Sequence, residues 1–213
     1  KLIEEFISEC NNGNIDQAYS LISIDCKNEM YKDINTFKTM YYERIFKKKK
    51  KKTAIIENWF SNTYIVKISD DIMTTGKVSN GIQDYITIVE ENNELKLNIN
   101  NYIGKEEISK EQTVDNITFN IIEKHIYIDY EIYKLKINNK SGSNIILDML
   151  QNPKTIYLQD NNGMKYYAYS NELIASMLKV RNNFSTEIDI KFSKSYTSSN
   201  VKLNFMVFSE VIF

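Results

Sequence analysis

The chain has 213 residues, 42% of them hydrophobic, with one proline and six glycines. That is enough apolar material for one large or two smaller packed domains, and too little Pro and Gly for a collagen-like or linker-type chain. The formal net charge of -1 excludes the general basic field that draws nucleic acid nonspecifically.

In chain order, "LIEEFISEC" sets Leu2, Ile3, Phe6, Ile7 and Cys10 at the spacing of one helical face. Asn11, Asn12 and Gly13 end that helix. Asn14 stands at the cap position of a second helix, with Gln17 three residues on, and Ile15, Ala18, Tyr19 and Ile22 form its apolar stripe. A third helix is predicted from Ile34 to Phe46, where Ile34, Phe37, Tyr41 and Ile45 recur at three and four residues. In an antiparallel pair, Cys10 and Cys26 would stand roughly 16 Å apart at 1.5 Å per residue. A disulfide needs Cα atoms within about 7 Å, so the geometry argues against pairing unless the second helix breaks near Ser23.

The run Lys47–Lys52 follows, and offsets what would otherwise be a distinctly acidic first half. The period then changes to two. "TAIIENWF", "TYIVKIS", "MTTGKV", "DYITIVEE" and "ELKLNI" read as antiparallel strands divided by turn signals such as Asn92-Asn93. Residues 105–116 turn polar and are expected to form a linker between a domain at 1–104 and another at 117–213. The second reads as almost pure β through "ITFNIIE", "HIYIDYEIYKLKIN", "NIILDML", "KTIYLQD", "MKYYAYS", "TEIDIKF" and "VKLNFMVF", with a short helical pattern at "NELIASMLK".

The first part, at "CNNGNIDQAYSLISIDCK" and "DYITIVEENNELKLNINNYIG", resembles the nuclear-transport-factor-2-like cone domains of Gram-positive surface and secretion proteins. The second, at "YKLKINNKSGSNIILD" and "IYLQDNNGMKYYAYSNEL", is similar to Ig-like modules of clostridial lipoproteins. The resemblance implies an α+β fold: three helices on a curved antiparallel sheet as a cystatin/nuclear-transport-factor-2-like cone, then an all-β Ig-like sandwich. It also implies a non-enzymatic, extracytoplasmic binding or spacer protein of a Gram-positive bacterium. Such a protein would be tethered by an N-terminal segment expected upstream of Lys1 and would have a protein or cell-envelope partner. An oligomeric component of a conjugation or secretion apparatus is the alternative. A small-molecule-binding or enzymatic cone domain is the second. High Lys, Asn and Ile content agrees with an AT-rich genome.

Few residues point to chemistry. Lys47, Lys48, Lys49, Lys50, Lys51 and Lys52 are candidates for an anionic cell-surface contact, against the plainer reading of a hydrated connector between helix and sheet. No aromatic platform interleaves with them, as specific nucleic-acid binding would require. Asp84, Tyr85, Glu90, Tyr64 and Trp59 are the acids and aromatics a cone-fold cavity could use, but no spacing singles them out. The single histidine, His125, is read as an ordinary strand residue, and no catalytic residue or cofactor is expected. "LQDNNG" fails as a calcium loop because its first and twelfth positions are Leu158 and Tyr169; Asn162-Gly163 is instead expected to make a type I′ turn. No metal site is expected. Tyr167 and Tyr169 share one strand face and are candidates for partner binding.

Overall fold

The computed structural model describes residues 1–46, 51–71, 81–146, 156–169, 179–200, 203–208 and 211–212. The chain divides into two compact units, Lys1–Gly104 and Lys105–Phe213. Strand accounts for 53% of the structure and helix for 23%, so the protein is mainly β.

In the first unit, α1 (Leu2–Asn12) buries Ile3, Phe6, Ile7 and Cys10 and ends on Gly13 at φ 76, a left-handed cap that a residue without a Cβ adopts freely. The α2 helix (Ile15–Ser20) is short. Asn14 does not cap it with its side chain; its Nδ2 donates to Glu9 Oε2 at 2.7 Å. The chain leaves the helix at Leu21–Ser23. Ser23 then caps α3 (Ile24–Met30) by accepting the Cys26 N–H, as a serine at a helix start does. Next come α4 (Ile34–Phe37), a π turn (Lys38–Tyr42) and α5 (Glu43–Ile45) in direct succession.

The sheet of this unit has the order β1 (Lys52–Phe60), β2 (Thr63–Asp70), β3 (Ile82–Glu91), β4 (Glu94–Asn98), all antiparallel. Four helical stretches among the described residues of this unit, rather than three, overturn the three-helix cone. The cause is local. The expected stripe of the second helix ends at Ile22, which leaves the helix to form a parallel bridge with Leu97. Leu97 N–H donates to the Leu21 carbonyl at 2.9 Å and Ser23 N–H to the Leu97 carbonyl at 3.0 Å. These two bonds close the outer edge of β4, and their strand-like geometry is what interrupts the helix.

β5 (Tyr102–Val114) begins in the first unit and continues in the second. Residues 105–114, expected as linker, are therefore strand, and Asp115 and Asn116 make a turn of positive φ into β6 (Ile117–Tyr127). Their polar sequence has a physical reason: β5 is an edge strand, and Ile108 alone of residues 105–113 packs against the core. With β7 (Tyr130–Asn139) and β12 (Phe184–Ser193), the sheet runs β12-β7-β6-β5. A ribbon joins β8 (Ile145–Ile146) to β11 (Lys179–Val180), and another sheet has the order β10 (Lys165–Tyr167), β9 (Tyr157–Asp160), β13 (Leu203–Phe208), β14 (Val211–Ile212). Phe119, Leu135, Ile137, Leu158, Ile190 and Phe192 belong to one core. Among the described residues this unit forms two four-stranded sheets and a separate ribbon, in place of the all-β Ig-like sandwich expected. The expected strand at "MTTGKV" and helix at "NELIASMLK" lie outside the described residues.

Candidate functional site

The first place to look is the acid and aromatic set of the first unit. Asp84 is 3% exposed and faces the helices. Tyr41 Oη donates to Asp84 Oδ2 at 2.7 Å, and the N–H groups of Asn100 and Asn101 donate to its two oxygens at 3.1 Å each. The π turn positions Tyr41, whose ring stacks on Phe37 at 5.8 Å. Burial raises the Asp84 carboxyl above the usual carboxylate range, with its hydrogen bonds opposing. Burial, followed by the Asp84 charge, holds the Tyr41 phenol protonated far above its ordinary range. This is a saturated anchor: the acid's oxygens are occupied by donors that tie helix, strand and loop together.

The other members of the set stand elsewhere. Tyr85, next to Asp84 in an extended strand, points to the opposite face, where Trp59 packs edge-on at 4.9 Å. Glu90 is exposed. Tyr64 shares the face of Asp84 but lies opposite Ile86. The structure does not bring these residues together as a catalytic group. Among the described residues no three His, Cys, Asp or Glu side chains gather as a metal would require.

The arrangement with the clearest capacity to act lies at the other edge of the same sheet. Antiparallel partners alternate between pairs that exchange both backbone hydrogen bonds and pairs whose N–H and C=O point away. Asp71 N–H donates to the Lys51 carbonyl at 2.9 Å, which makes the odd-numbered residues of β1 the ones that face β2. The backbone groups of Lys52, Ala54, Ile56 and Asn58 therefore point outward. At Lys52 they are satisfied by one side chain: Asn11 Nδ2 donates to its carbonyl at 2.9 Å and its N–H donates to Asn11 Oδ1 at 2.8 Å. The carboxamide imitates a neighbouring peptide group. Beyond it, no described residue pairs with the outward groups of Ala54, Ile56 and Asn58.

A cleft of about 400 Å³ runs along this open stretch between Ile7, Ser8 and Asn11 of α1 and Ala54 and Ile56 of β1, with Lys51 and Glu4 also on its wall. Since Asn11 sits at Lys52, Glu4 lies about two helical turns away, roughly 10 Å at 1.5 Å per residue. The cleft is thus positive at one end and negative at the other.

Of the lysine run, Lys47, Lys48, Lys49 and Lys50 lie outside the described residues. Lys51 is exposed. Lys52 is the first residue of β1, and its side chain, 12% exposed, pairs with Asp70, so it is committed to the sheet rather than to an outside anion.

In the second unit, Tyr167 and Tyr169 are 40% and 37% exposed while Ala168 between them is buried. The Tyr167 ring lies 5.9 Å from Tyr157, and Lys191 Nζ is 5.0 Å from the Tyr169 ring and 4.0 Å from that of Tyr130. The pair stands on one face but each ring has its own neighbours. His125 is buried in β6 with Nε2 3.1 Å from Glu123 Oε1. Lys194 and Glu131, only 4% and 3% exposed, form an ion pair at 2.7 Å, and Tyr133 Oη donates to the same carboxylate at 2.9 Å. At Asp160–Met164 the carboxylate of Asp160 accepts the N–H groups of Asn162 and Met164 at 2.8 and 2.9 Å. Gly163 has positive φ and Asn162 does not, so the turn is not type I′ but a three-residue loop with a left-handed glycine.

Asn11, Ala54, Ile56 and Asn58 were not legible as site residues. The clamp joins positions 41 apart in sequence, and the free edge depends on strand order. The only local signal is a lysine run before a strand, a common guard of sheet edges. No helix among the described residues is long and apolar enough to cross a membrane. Comparison with protein families, with curated protein sequences and with solved structures yields no significant match.

Proposed function

We propose that the chain is a non-enzymatic binding protein whose first unit takes up an extended segment of a protein partner along the outer edge of β1. The observation that carries this reading is the asymmetry of the four-stranded sheet. Its β4 edge is closed by Leu21 and Ser23, whereas among the described residues its β1 edge is closed only at Lys52 and then left open over Ala54, Ile56 and Asn58 beside a cleft. An added strand gains main-chain hydrogen bonds from such an edge, and a neighbouring cleft supplies room for alternate side chains. The extracytoplasmic, membrane-tethered setting in a Gram-positive bacterium belongs to the same proposal and is supported by the sequence resemblance alone.

The test begins by panning a random peptide library displayed on phage against the whole chain. Selected peptides should lose at least about tenfold in affinity against Ile56→Pro, because proline removes the outward N–H while leaving the bonds to β2 in place. A second measurement does not depend on that variant folding. Amide exchange at Ala54, Ile56 and Asn58 should be fast in the free protein and slow with peptide bound, while Thr53, Ile55 and Glu57 are slow throughout. Peptides that bind without slowing those three amides would overturn the reading, as would a library that yields no binder.

A further inference from the structure

We infer that the segment received at the β1 edge is acidic at the end that lies by Lys51, and that it carries an apolar side chain toward Ile7 and Ile56. The inference rests on the proposed edge binding and names its occupant.

The length of the site comes first. Asn11 occupies the outward groups of Lys52, so an added strand can pair only from Ala54 onward, over about five residues or roughly 17 Å of extended chain. At the Asn11 end the incoming chain must turn off the edge, and the side chain there meets Lys51, which lines the same cleft. Lys52 cannot supply the charge, because Asp70 already neutralises it. Lys51 carries no ion pair among the described residues. Glu4 at the far end repels an acidic group placed there. The charge pattern therefore selects the orientation of the segment as well as its sign. Between the ends the wall is mixed, with Ile7, Ala54 and Ile56 beside Ser8, and an alternate side chain of the incoming strand pointing toward α1 can rest on Ile7 and Ile56.

Lys51 discourages the competing occupant, a second copy of this chain in parallel, because that register would set two like charges side by side.

The experiment uses the peptides selected above, made synthetically with a fluorophore, and measures anisotropy with the whole chain. Acidic residues should be enriched at one end of the selected sequences. Lys51→Glu should weaken them about three- to fivefold, the size of an exposed ion-pair effect, and Glu4→Lys should leave them unchanged or strengthen them slightly. Raising the salt concentration should weaken binding of acidic peptides to the native chain and have less effect on Lys51→Glu. If the selected peptides depend on Ile56 but are neutral or basic, or are indifferent to Lys51→Glu, the acidic segment is wrong and edge binding stands. If acidic peptides bind Ile56→Pro as well as the native chain, with no slowing of the Ala54, Ile56 and Asn58 amides, the lysines act alone as an anion patch and both proposals fall.

Discussion

Tyr41, in the π turn, donates its phenol proton to Asp84 in β3 across 2.7 Å, joining residues 43 apart in sequence at the centre of the first unit. The acid also holds the N–H groups of Asn100 and Asn101, both at positive φ, so one carboxylate fixes a helix, a strand and the loop after β4. Tyr41→Phe should cost about 1–3 kcal/mol in denaturant unfolding, the loss of a buried bond to a charged acceptor. Asp84→Ala leaves the buried Tyr41 hydroxyl and the part-buried Asn100 N–H without an acceptor, while Asn101 N–H keeps the Tyr85 carbonyl at 3.2 Å, and should cost about 3 kcal/mol, more than Tyr41→Phe. Equal, small effects would show that the anchor is not taut.

The Asn11 clamp makes a separate forecast. Asn11→Ala removes two hydrogen bonds to Lys52 and should cost about 1–2 kcal/mol, while exchange of the Lys52 amide rises to match that of Ala54. The longer free edge should also raise the tendency to self-associate, which sedimentation velocity reads directly.

Glu123 accepts Lys134 Nζ at 2.8 Å and lies 3.1 Å from His125 Nε2 and 3.7 Å from Lys105 Nζ. The Lys134 hydrogen bond, with His125 and the lysine charge adding, holds its carboxyl at about 2 against an ordinary 4.5. A depressed folded value gives stability that is fully present above pH 4.5 and is lost as pH falls toward about 2. Glu123→Gln should therefore be less stable near neutrality and show a shallower decline through that window. A decline of unchanged steepness would remove Glu123 from the acid response.

The Lys194–Glu131 pair is buried on both sides. Lys194→Met leaves the Glu131 carboxylate buried with only the Tyr133 hydroxyl, and should cost about 3–5 kcal/mol. Adding Glu131→Gln removes the stranded charge and should recover part of the loss. A double variant no more stable than the single one would show that packing rather than charge dominates there.

Both cysteines are free and buried. Burial pushes the Cys26 thiol up to about 12 and raises that of Cys10 as well. Since the thiolate is the reactive form, iodoacetamide should modify neither in the native chain and both after denaturation, as read by intact mass. Rapid native labelling of either would contradict their placement.

Much of the first unit was legible in its sequence. The apolar face of α1, the helix from Ile34 and the strands β1 to β4 follow from spacing alone, and the geometry that argued against a disulfide agrees with two free cysteines even though the break at Ser23 did occur. Three features were not legible. Ile22 satisfies a helical stripe and a strand bridge equally well, and its partner Leu97 decides between them. β5 is an edge strand whose polar side chains mimic a linker. The π turn leaves Phe37 and Tyr41 at ordinary helical spacing. The asparagines carry more than composition suggests: Asn92, Asn93, Asn100, Asn101, Asn116 and Asn183 all adopt positive φ, which asparagine tolerates better than most residues. Of the candidate sites, the open edge of β1 needed the strand order, which no local spacing gives.

The stitch between Leu97 and the Leu21–Ser23 segment bears on how this chain is made. The opening helices are synthesised first, yet the backbone bonds that fix the gap between the second and third of them come from a strand near the end of the unit. A nascent chain halted before Glu94 has left the ribosome should therefore hold its helices only loosely, and should become resistant to protease as a whole once β4 and the Asn100–Asn101 loop emerge.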